Sequence, residues 1–270
     1  MRMKISFFQV DAFSNTPFNG NPAAVCPLTE WLPDELMQAI AAENNLAETA
    51  FFVPSDAPGV YDLRWFTPSS EVDLCGHATL ASAHVLFQEM AVAGDLITFS
   101  SKSGPLMVSR SLQEYTLDFP AVPIQTFTGP DLVSTWLNGV EGTIEGIAMD
   151  LLVRVKDQET VATLTPNLPA IAQIHARGLI VTATASDKGL DFVSRFFAPQ
   201  LGVPEDPVTG SAHCTLTPYW AERMGKTDFQ ARQIGPRSGG MKLSLNGDRV
   251  CLTGEAITVI KGELFLPELI

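Results

Sequence analysis

The chain has 270 residues, of which 46% are hydrophobic, so it can bury the core of one large or two medium domains. Its formal net charge is −13 and the sequence contains no run of Lys and Arg, which excludes the clustered cations of a nucleic-acid-binding surface. No apolar stretch reaches the roughly 20 residues that cross a bilayer and no secretory signal follows Met1, so we expect a cytoplasmic protein without a membrane partner.

The first elements along the chain can be predicted from local patterns. A Pro-Asp-Glu start predicts a helix over residues 33–43. Aromatic and β-branched residues predict strands at Thr49–Val53 and Tyr61–Phe66. The segment Ala78–Met90 is apolar nearly all round, which predicts a helix enclosed by a sheet or barrel.

The end of the chain carries a hairpin signal. Residues 241–245 and 249–253 flank Asn246-Gly247, the dipeptide that a type I′ turn requires, so we predict a hairpin with that turn. Strands dominate the whole pattern, and the predicted fold class is α+β. Each half is expected to wrap its sheet around its second helix.

An internal repeat organises the sequence. The segment Arg64–Pro68 (Arg-Trp-Phe-Thr-Pro) recurs 131 residues later as Arg195–Pro199 (Arg-Phe-Phe-Ala-Pro). After an insertion of three residues, Gly76–Ala78 aligns with Gly210–Ala212 at an offset of 134. We predict two copies of one ancestral unit, a domain over residues 1–118 and a second over 119–270, with the last strand of the chain as a candidate to complete the first domain.

Glu48 is the leading candidate for a catalytic group. It lies where the predicted helix gives way to a strand, and its equivalent in the second copy is Leu179. A position that can hold an apolar side chain raises the pKa of a carboxyl group placed there, which suits general acid–base chemistry. A surface glutamate is the simpler alternative.

The loop before the buried helix of the first copy contains Cys75-Gly76-His77. Gly76 permits close approach of the backbone, and the next amides are unpaired donors at a helix start. His77 there can relay a proton or bind a substrate, or it can simply pack. Cys75 and His77 also allow a thiol nucleophile or a metal site, but no orienting residue and no further ligands are evident, so we expect no metal.

The matching loop of the second copy runs from Glu205 to His213. Gly210 aligns with Gly76, so two helix N-termini are expected to bind one carboxylate in a cleft without an arginine. Asp206 can accept a hydrogen bond from an amine, and Ser211 can donate to a carboxylate. The alternative is an Asp-Pro turn with Ser211 as the helix N-cap.

Several other polar residues receive weaker assignments. Asn21 can face the cleft, although a turn role explains it equally well. Arg64 and Arg195 precede Phe-x-Pro in both copies, so duplication indicates a structural role. His84, His175 and His213 have no clear role, and those that lie in helices are expected to be satisfied inside the fold.

Four motifs together resemble the phenazine-biosynthesis (PhzF-like) family, and the match runs nearly end to end in the family order. The motifs are Gly20–Pro22, Asn45–Phe51, Cys75–Thr79 and Glu205–Ala212. The resemblance implies a diaminopimelate-epimerase-like fold of two pseudo-symmetric domains, each a β-barrel-like sheet around a central helix. It also implies an active site between the domains, and a homodimer.

The resemblance further implies an isomerase without metal or organic cofactor. In the phenazine enzyme, the family glutamate moves a proton within 2,3-dihydro-3-hydroxyanthranilate. That role falls on Glu48, with His77, Asp206 and Ser211 as the matching site residues. The expected partner is a small-molecule carboxylate substrate.

Three alternatives remain from the sequence. Related racemases use two cysteines, and Cys75 occupies the first such position, but residues 207–209 contain no second one. A hydrolase would use Ser211 with His77 or His213, without a nucleophile-elbow sequence. A binding protein would keep the cleft without catalysis.

Overall fold

The computed structural model describes residues 4–266. Its contacts divide the chain into two compact units. The first contains the residues up to Asp118 together with those from Thr253 onward, and the second contains Phe119–Leu252. Among the described residues, no helix is both long enough and apolar enough to traverse a bilayer.

The first unit is a closed barrel of eight strands. Its elements are β1 (Lys4–Ala12), β2 (Asn21–Pro27), α1 (Asp34–Asn44), β3 (Glu48–Pro54), β4 (Val60–Phe66), β5 (Glu71–Val72), α2 (Gly76–His84), β6 (Leu96–Ser101), β7 (Gly104–Ser111), β8 (Glu114–Pro120) and β16 (Arg249–Phe265). The strand order is β1-β2-β3-β4-β6-β7-β8-β16, and antiparallel pairing of β1 with β16 closes the ring.

The helices of this unit follow from its parallel strand pairs. β2 runs parallel to β3 and β4 runs parallel to β6, and each pair needs a crossover, which α1 and α2 provide. All residues from His77 to His84 are buried. The helix continues as a π-helical segment, Val85–Glu89. The apolar composition that predicted an enclosed helix is therefore explained by the barrel around it.

The second unit is built on an open order of strands among its described residues. Its further elements are α3 (Val133–Trp136), β9 (Gly142–Ile147), β10 (Leu151–Val155), α4 (Gln158–Thr163), α5 (Leu168–Ile171), β11 (Leu179–Thr184), β12 (Phe192–Ala198), β13 (Val203–Asp206), α6 (Gly210–Met224), β14 (Asp228–Gln233) and β15 (Gly239–Asn246). The order is β16-β15-β14-β12-β11-β10-β9, with β13 on β12. The crossover from β12 to its parallel neighbour β14 contains the largely buried α6.

The predicted elements agree closely with the structure. The helix predicted over residues 33–43 is α1, and the two predicted strands are β3 and β4, with ends that differ by one residue. The α+β fold class is confirmed. The turn type of the final hairpin was predicted wrongly: Asn246 ends β15, so the two-residue loop is Gly247-Asp248. Of the two loop residues only Gly247 has positive φ, +63°, whereas a type I′ turn needs positive φ at both.

The paired arginines of the repeat are structural, as predicted. Arg64 donates from Nε and a terminal nitrogen to Glu71 at 2.8 and 3.0 Å. Arg195 makes the same fork onto Glu205 at 2.7 and 2.8 Å. Glu71 and Glu205 are themselves 134 residues apart, so the repeat holds the whole ion pair and not the arginine alone.

Candidate functional site

The first unit brings Glu48 and His77 together. Glu48 is the first residue of β3, opposite Ala23 of the parallel neighbour β2, and His77 is the second residue of α2. The Oε2 atom of Glu48 lies 3.2 Å from Nε2 of His77. Their side chains are 20% and 7% exposed, so the pair is sheltered while the carboxylate keeps access to solvent.

The other side of the His77 ring faces Asn21 and Cys75. Nδ1 of His77 lies 3.3 Å from Nδ2 of Asn21 and 3.5 Å from Sγ of Cys75. Burial lowers the pKa of His77 to about 3, so the ring is neutral near pH 7. With the Asn21 amide donating to Nδ1, the single ring proton lies on Nε2, the nitrogen 3.2 Å from Oε2 of Glu48. These two atoms are close but are not aligned for a hydrogen bond.

Asn21 is held in place by a strained turn that requires glycine. Gly20 has φ +68°, and a Cβ at this position would lie 2.2 Å from the carbonyl oxygen of Ala12. Asn21 follows as the first residue of β2 and is completely buried. The weak assignment that Asn21 received from the sequence is therefore strengthened by its contact with His77.

The start of α2 presents backbone donors beside this cluster. The first amide with an intrahelical partner is that of Thr79, which donates to the carbonyl of Cys75 at 3.2 Å. By helix geometry the amides of Gly76, His77 and Ala78 have no carbonyl one turn back. They form a donor set suited to a carboxylate or another anion.

Glu48, Cys75 and His77 also satisfy a loose distance criterion for a metal site, because their ligand atoms lie within 4.8 Å of one another. The thiol and the carboxylate approach different nitrogens of the imidazole ring, however. A single ion needs lone pairs that converge on one point. The arrangement fits a compact polar cluster around a neutral imidazole better than a metal centre.

The second unit holds the other predicted residues. Asp206, at the end of β13, accepts a hydrogen bond from the Thr209 hydroxyl at 2.5 Å. Gln233 binds both ends of this loop: its amide nitrogen donates to the Asp206 carbonyl at 2.6 Å, and its oxygen accepts from the Thr209 amide at 2.8 Å. Gly210 begins α6, and a Cβ on it would meet only Leu252, at 3.7 Å.

Ser211 occupies a different position from the one considered in the sequence. The N-cap of α6 is Thr209, so Ser211 is the second residue of the helix and not its cap. Its hydroxyl accepts a hydrogen bond of 2.8 Å from Arg177. His213 donates from Nδ1 to the Thr209 carbonyl at 2.8 Å and turns Nε2 toward Ser194. Both ring nitrogens of His213 thus face partners other than Ser211, which disfavours a Ser211–His213 hydrolase.

Sequence reasoning missed Gln233 and Arg177, the two side chains that organise the loop before α6 and its first turn. Neither lies in a motif, and Arg177 is 34 residues from Ser211 along the chain. The sequence predicted that His84 and His213 would be satisfied inside the fold, and both are buried with hydrogen-bond partners. His213 is satisfied as described, and His84 contacts the hydroxyls of Tyr115 and Thr258 at 3.1 and 3.0 Å.

Comparison with known proteins places these observations in a family. The family model described as "Phenazine biosynthesis-like protein" matches residues 10–262. The chain belongs to this family. An uncharacterized isomerase of Pseudomonas aeruginosa is 48% identical over 98% of this chain and 100% of its own. The family predicted from four motifs is therefore confirmed, and the chain is an isomerase.

Solved structures support the same family and fold. A PhzF-family phenazine biosynthesis protein from Enterococcus faecalis superposes with a TM-score of 0.92 at 44% identity, covering 98% of this chain and 100% of that one. A hydroxyproline epimerase from Agrobacterium vitis shares the fold at 11% identity, with a TM-score of 0.62 over 98% of this chain and 94% of that one. The racemase-like fold expected for the family is thus present.

Proposed function

We propose that this isomerase moves a proton within a small cyclic or amino-acid-derived carboxylate, with Glu48 as the general base and acid. The observation that supports the proposal is the distance of 3.2 Å between Oε2 of Glu48 and Nε2 of a buried, neutral imidazole. A neutral N–H donor stabilises the carboxylate form without adding a positive charge. The carboxylate form of Glu48 is the form that accepts a proton.

The reaction needs no redox step and no second substrate. The Glu48 carboxylate removes a proton from a carbon next to the unsaturated system of the substrate, and the electron pair shifts along that system. The carboxyl group then returns the proton to another carbon, which restores Glu48. His77 holds the carboxylate oxygen in one orientation throughout, and its low pKa keeps it neutral while the charge moves.

Binding of the substrate carboxylate is assigned to helix N-termini. The amides at Gly76 in α2 and those at Gly210 and Ser211 in α6 are the proposed donors. Participation of Asp206 and Ser211 in the same site as Glu48 stays a prediction from the sequence, as do the cytoplasmic location and the homodimer.

Hydrogen exchange in heavy water tests the proposal. The protein is incubated with cyclic and amino-acid-derived carboxylates, beginning with 2,3-dihydro-3-hydroxyanthranilate, and deuterium incorporation is followed by mass spectrometry. We expect exchange with the wild type and a loss of about 10²- to 10⁴-fold in Glu48→Gln, the range for removal of a general acid–base group.

A matched control separates this effect from general damage. Glu43→Gln changes an exposed glutamate of α1 in the same way and is expected to keep full exchange. Wild-type rates in Glu48→Gln would place the proton transfer on another residue. Binding without exchange in the wild type would instead support the non-catalytic alternative.

A racemase with two thiols finds little support in the structure. Cys75 is the only cysteine beside His77 among the described residues. Cys214 lies inside α6, where burial raises the pKa of its thiol to about 12. A thiol that stays protonated near pH 7 is a poor base, so a one-base mechanism through Glu48 is favoured.

A further inference from the structure

An arginine is anchored against the start of α6 in the second unit. Arg177 donates from a terminal nitrogen to the Ser211 hydroxyl at 2.8 Å. Its Nε donates to Oδ1 of Asp150 at 2.9 Å, and the nitrogen that reaches Ser211 also contacts Oδ2 of Asp150. Asp150 is 1% exposed, so a buried carboxylate fixes the guanidinium group from behind.

The backbone of Arg177 is fixed as well. Its amide donates to the Met149 carbonyl at 2.8 Å, and its carbonyl accepts from the Gln200 side chain at 2.6 Å. The guanidinium lies 5.5 Å from the centre of the Phe196 ring. Contacts on this many sides distinguish Arg177 from a mobile surface arginine, although one third of its side chain stays exposed.

The repeat gives this contact a counterpart in the first unit. Ser211 is the equivalent of His77, and Arg177 lies two residues before Leu179, the equivalent of Glu48. In each unit, an ionisable side chain at or just before the start of a strand therefore contacts the second residue of the buried helix. The first unit places an acid there, and the second unit places a cation.

The chemistry of the hydroxyl decides what the contact does. A serine hydroxyl has one proton to donate and two lone pairs that accept, whereas arginine can only donate. Arg177 occupies an acceptor position of Ser211, so the Ser211 proton must point to a different acceptor.

We propose that Arg177 is a positioning residue that makes Ser211 a dedicated hydrogen-bond donor to the substrate carboxylate. This inference rests on the proposed function for the identity of the ligand, a carboxylate, but not on Glu48. It keeps the sequence-based expectation that helix N-termini bind the carboxylate, and adds an arginine that acts through Ser211. We expect this arrangement to make the site bind a carboxylate more tightly than the corresponding neutral amide.

The test compares benzoate with benzamide, a neutral ligand of the same shape. Each is titrated into the full-length protein while the amide resonances of Gly210 and Ser211 are followed by NMR. We expect the wild type to prefer benzoate, and Arg177→Gln to weaken benzoate binding about tenfold while benzamide binding stays unchanged, because one charge-assisted interaction is lost. The double variant Arg177→Gln/Ser211→Ala should bind benzoate no more weakly than Ser211→Ala alone.

Two further variants keep the test decisive. Asp150→Asn/Arg177→Gln replaces both charges with amides, so it leaves no unpaired buried carboxylate, and it should show the same loss. Glu71→Gln/Arg64→Gln removes the forked pair of the first unit, which touches no serine, and should leave benzoate binding unchanged. A wild type without preference for benzoate, or an Arg177 effect that persists after Ser211→Ala, would overturn the proposal. Glu48→Gln should retain benzoate binding. The binding test can therefore succeed or fail independently of the proposal that Glu48 transfers the proton.

Discussion

The protonation of a single imidazole controls the chemistry proposed for this site. His77 is neutral because it is buried, and the direction of its one N–H is set by the neighbour of its other nitrogen. Asn21 is that neighbour, and its side chain is neutral as well. An amide at this position orients the ring without making it a cation.

Asn21→Asp tests this role of the amide. A carboxylate about as close to Nδ1 as the present 3.3 Å would favour the imidazolium form. We therefore expect the pKa of His77 to rise from about 3 toward the ordinary value near 6.5, as followed by an NMR titration of the imidazole carbons. His84 is the internal control, and its pKa should not move. An unchanged His77 would mean that Asn21 does not contact the ring in solution.

The sequence could reveal these residues only where a signal exists. Glu48 and His77 lie in motifs, and Glu48 also differs from its repeat partner, Leu179, in a way that suggests function. Arg177 has no such signal, because its partners Asp150 and Ser211 are 27 and 34 residues away. Long-range contacts of this kind depend on the register of β10 and β11, which no local pattern encodes.

At the level of elements, each of the two arginine forks connects a long strand to the short strand that precedes the buried helix of its unit. Arg64 of β4 binds Glu71, and Arg195 of β12 binds Glu205. Arg195 has an additional role: it donates to the carbonyls of Val161 and Leu164 at 3.2 and 2.8 Å. These are carbonyls at the end of α4, which would otherwise lack partners.

Arg195→Met is therefore expected to destabilise more than Arg64→Met. The first variant leaves Glu205 and two carbonyl oxygens without their donor, at a cost of about 3 kcal/mol in the free energy of unfolding. The second leaves Glu71 paired with Lys102, so about 1 kcal/mol is expected. Urea unfolding at pH 7 measures both. Equal losses would show that the carbonyl contacts of Arg195 contribute little.

The turn between β1 and β2 connects backbone conformation to the site. Gly20→Ala would place a Cβ at φ +68° and 2.2 Å from the Ala12 oxygen, so the turn must open and Asn21 must move. We expect a loss of about 2 kcal/mol in stability and a shift of the His77 imidazole resonances. Gly94→Ala, also at positive φ but with open space around it, is the control that should leave His77 unchanged.

Element positions and turn details differ in how well local sequence determines them. The helix and strands of residues 33–66 were predicted to within one residue, because their capping and β-branched patterns are local. The final hairpin was also found, but its turn type was wrong by a shift of one residue. Asn246 continues the strand pairing instead of entering the loop, which the Asn-Gly signal alone could not show.

At the scale of the whole molecule, acid stability is governed by histidines that are buried without charge. Burial lowers the pKa of His77 to about 3, and that of His84 and His213 to about 4 each. In the unfolded chain all three titrate near 6.5. Between these values the unfolded state binds more protons than the folded state, so the free energy of unfolding must fall as the pH falls.

We therefore expect full stability above pH about 6.5 and a progressive loss below it. Carboxylates such as Glu71, whose pKa the Arg64 hydrogen bond holds near 2, contribute to the loss only below their unfolded value near 4.5. Between pH 6.5 and 4.5 the loss of stability is thus due to the histidines. Each lowers the free energy of unfolding by up to roughly 1.4 kcal/mol per pH unit. Urea unfolding at a series of pH values measures how steeply the free energy of unfolding changes with pH.

His84→Gln keeps hydrogen-bonding groups toward Tyr115 and Thr258 but cannot titrate. The slope of the free energy of unfolding against pH should therefore fall by about a third, while the loss below pH 4.5 persists. A slope that His84→Gln leaves intact would mean that this imidazole becomes protonated inside the folded barrel, against the effect of its burial.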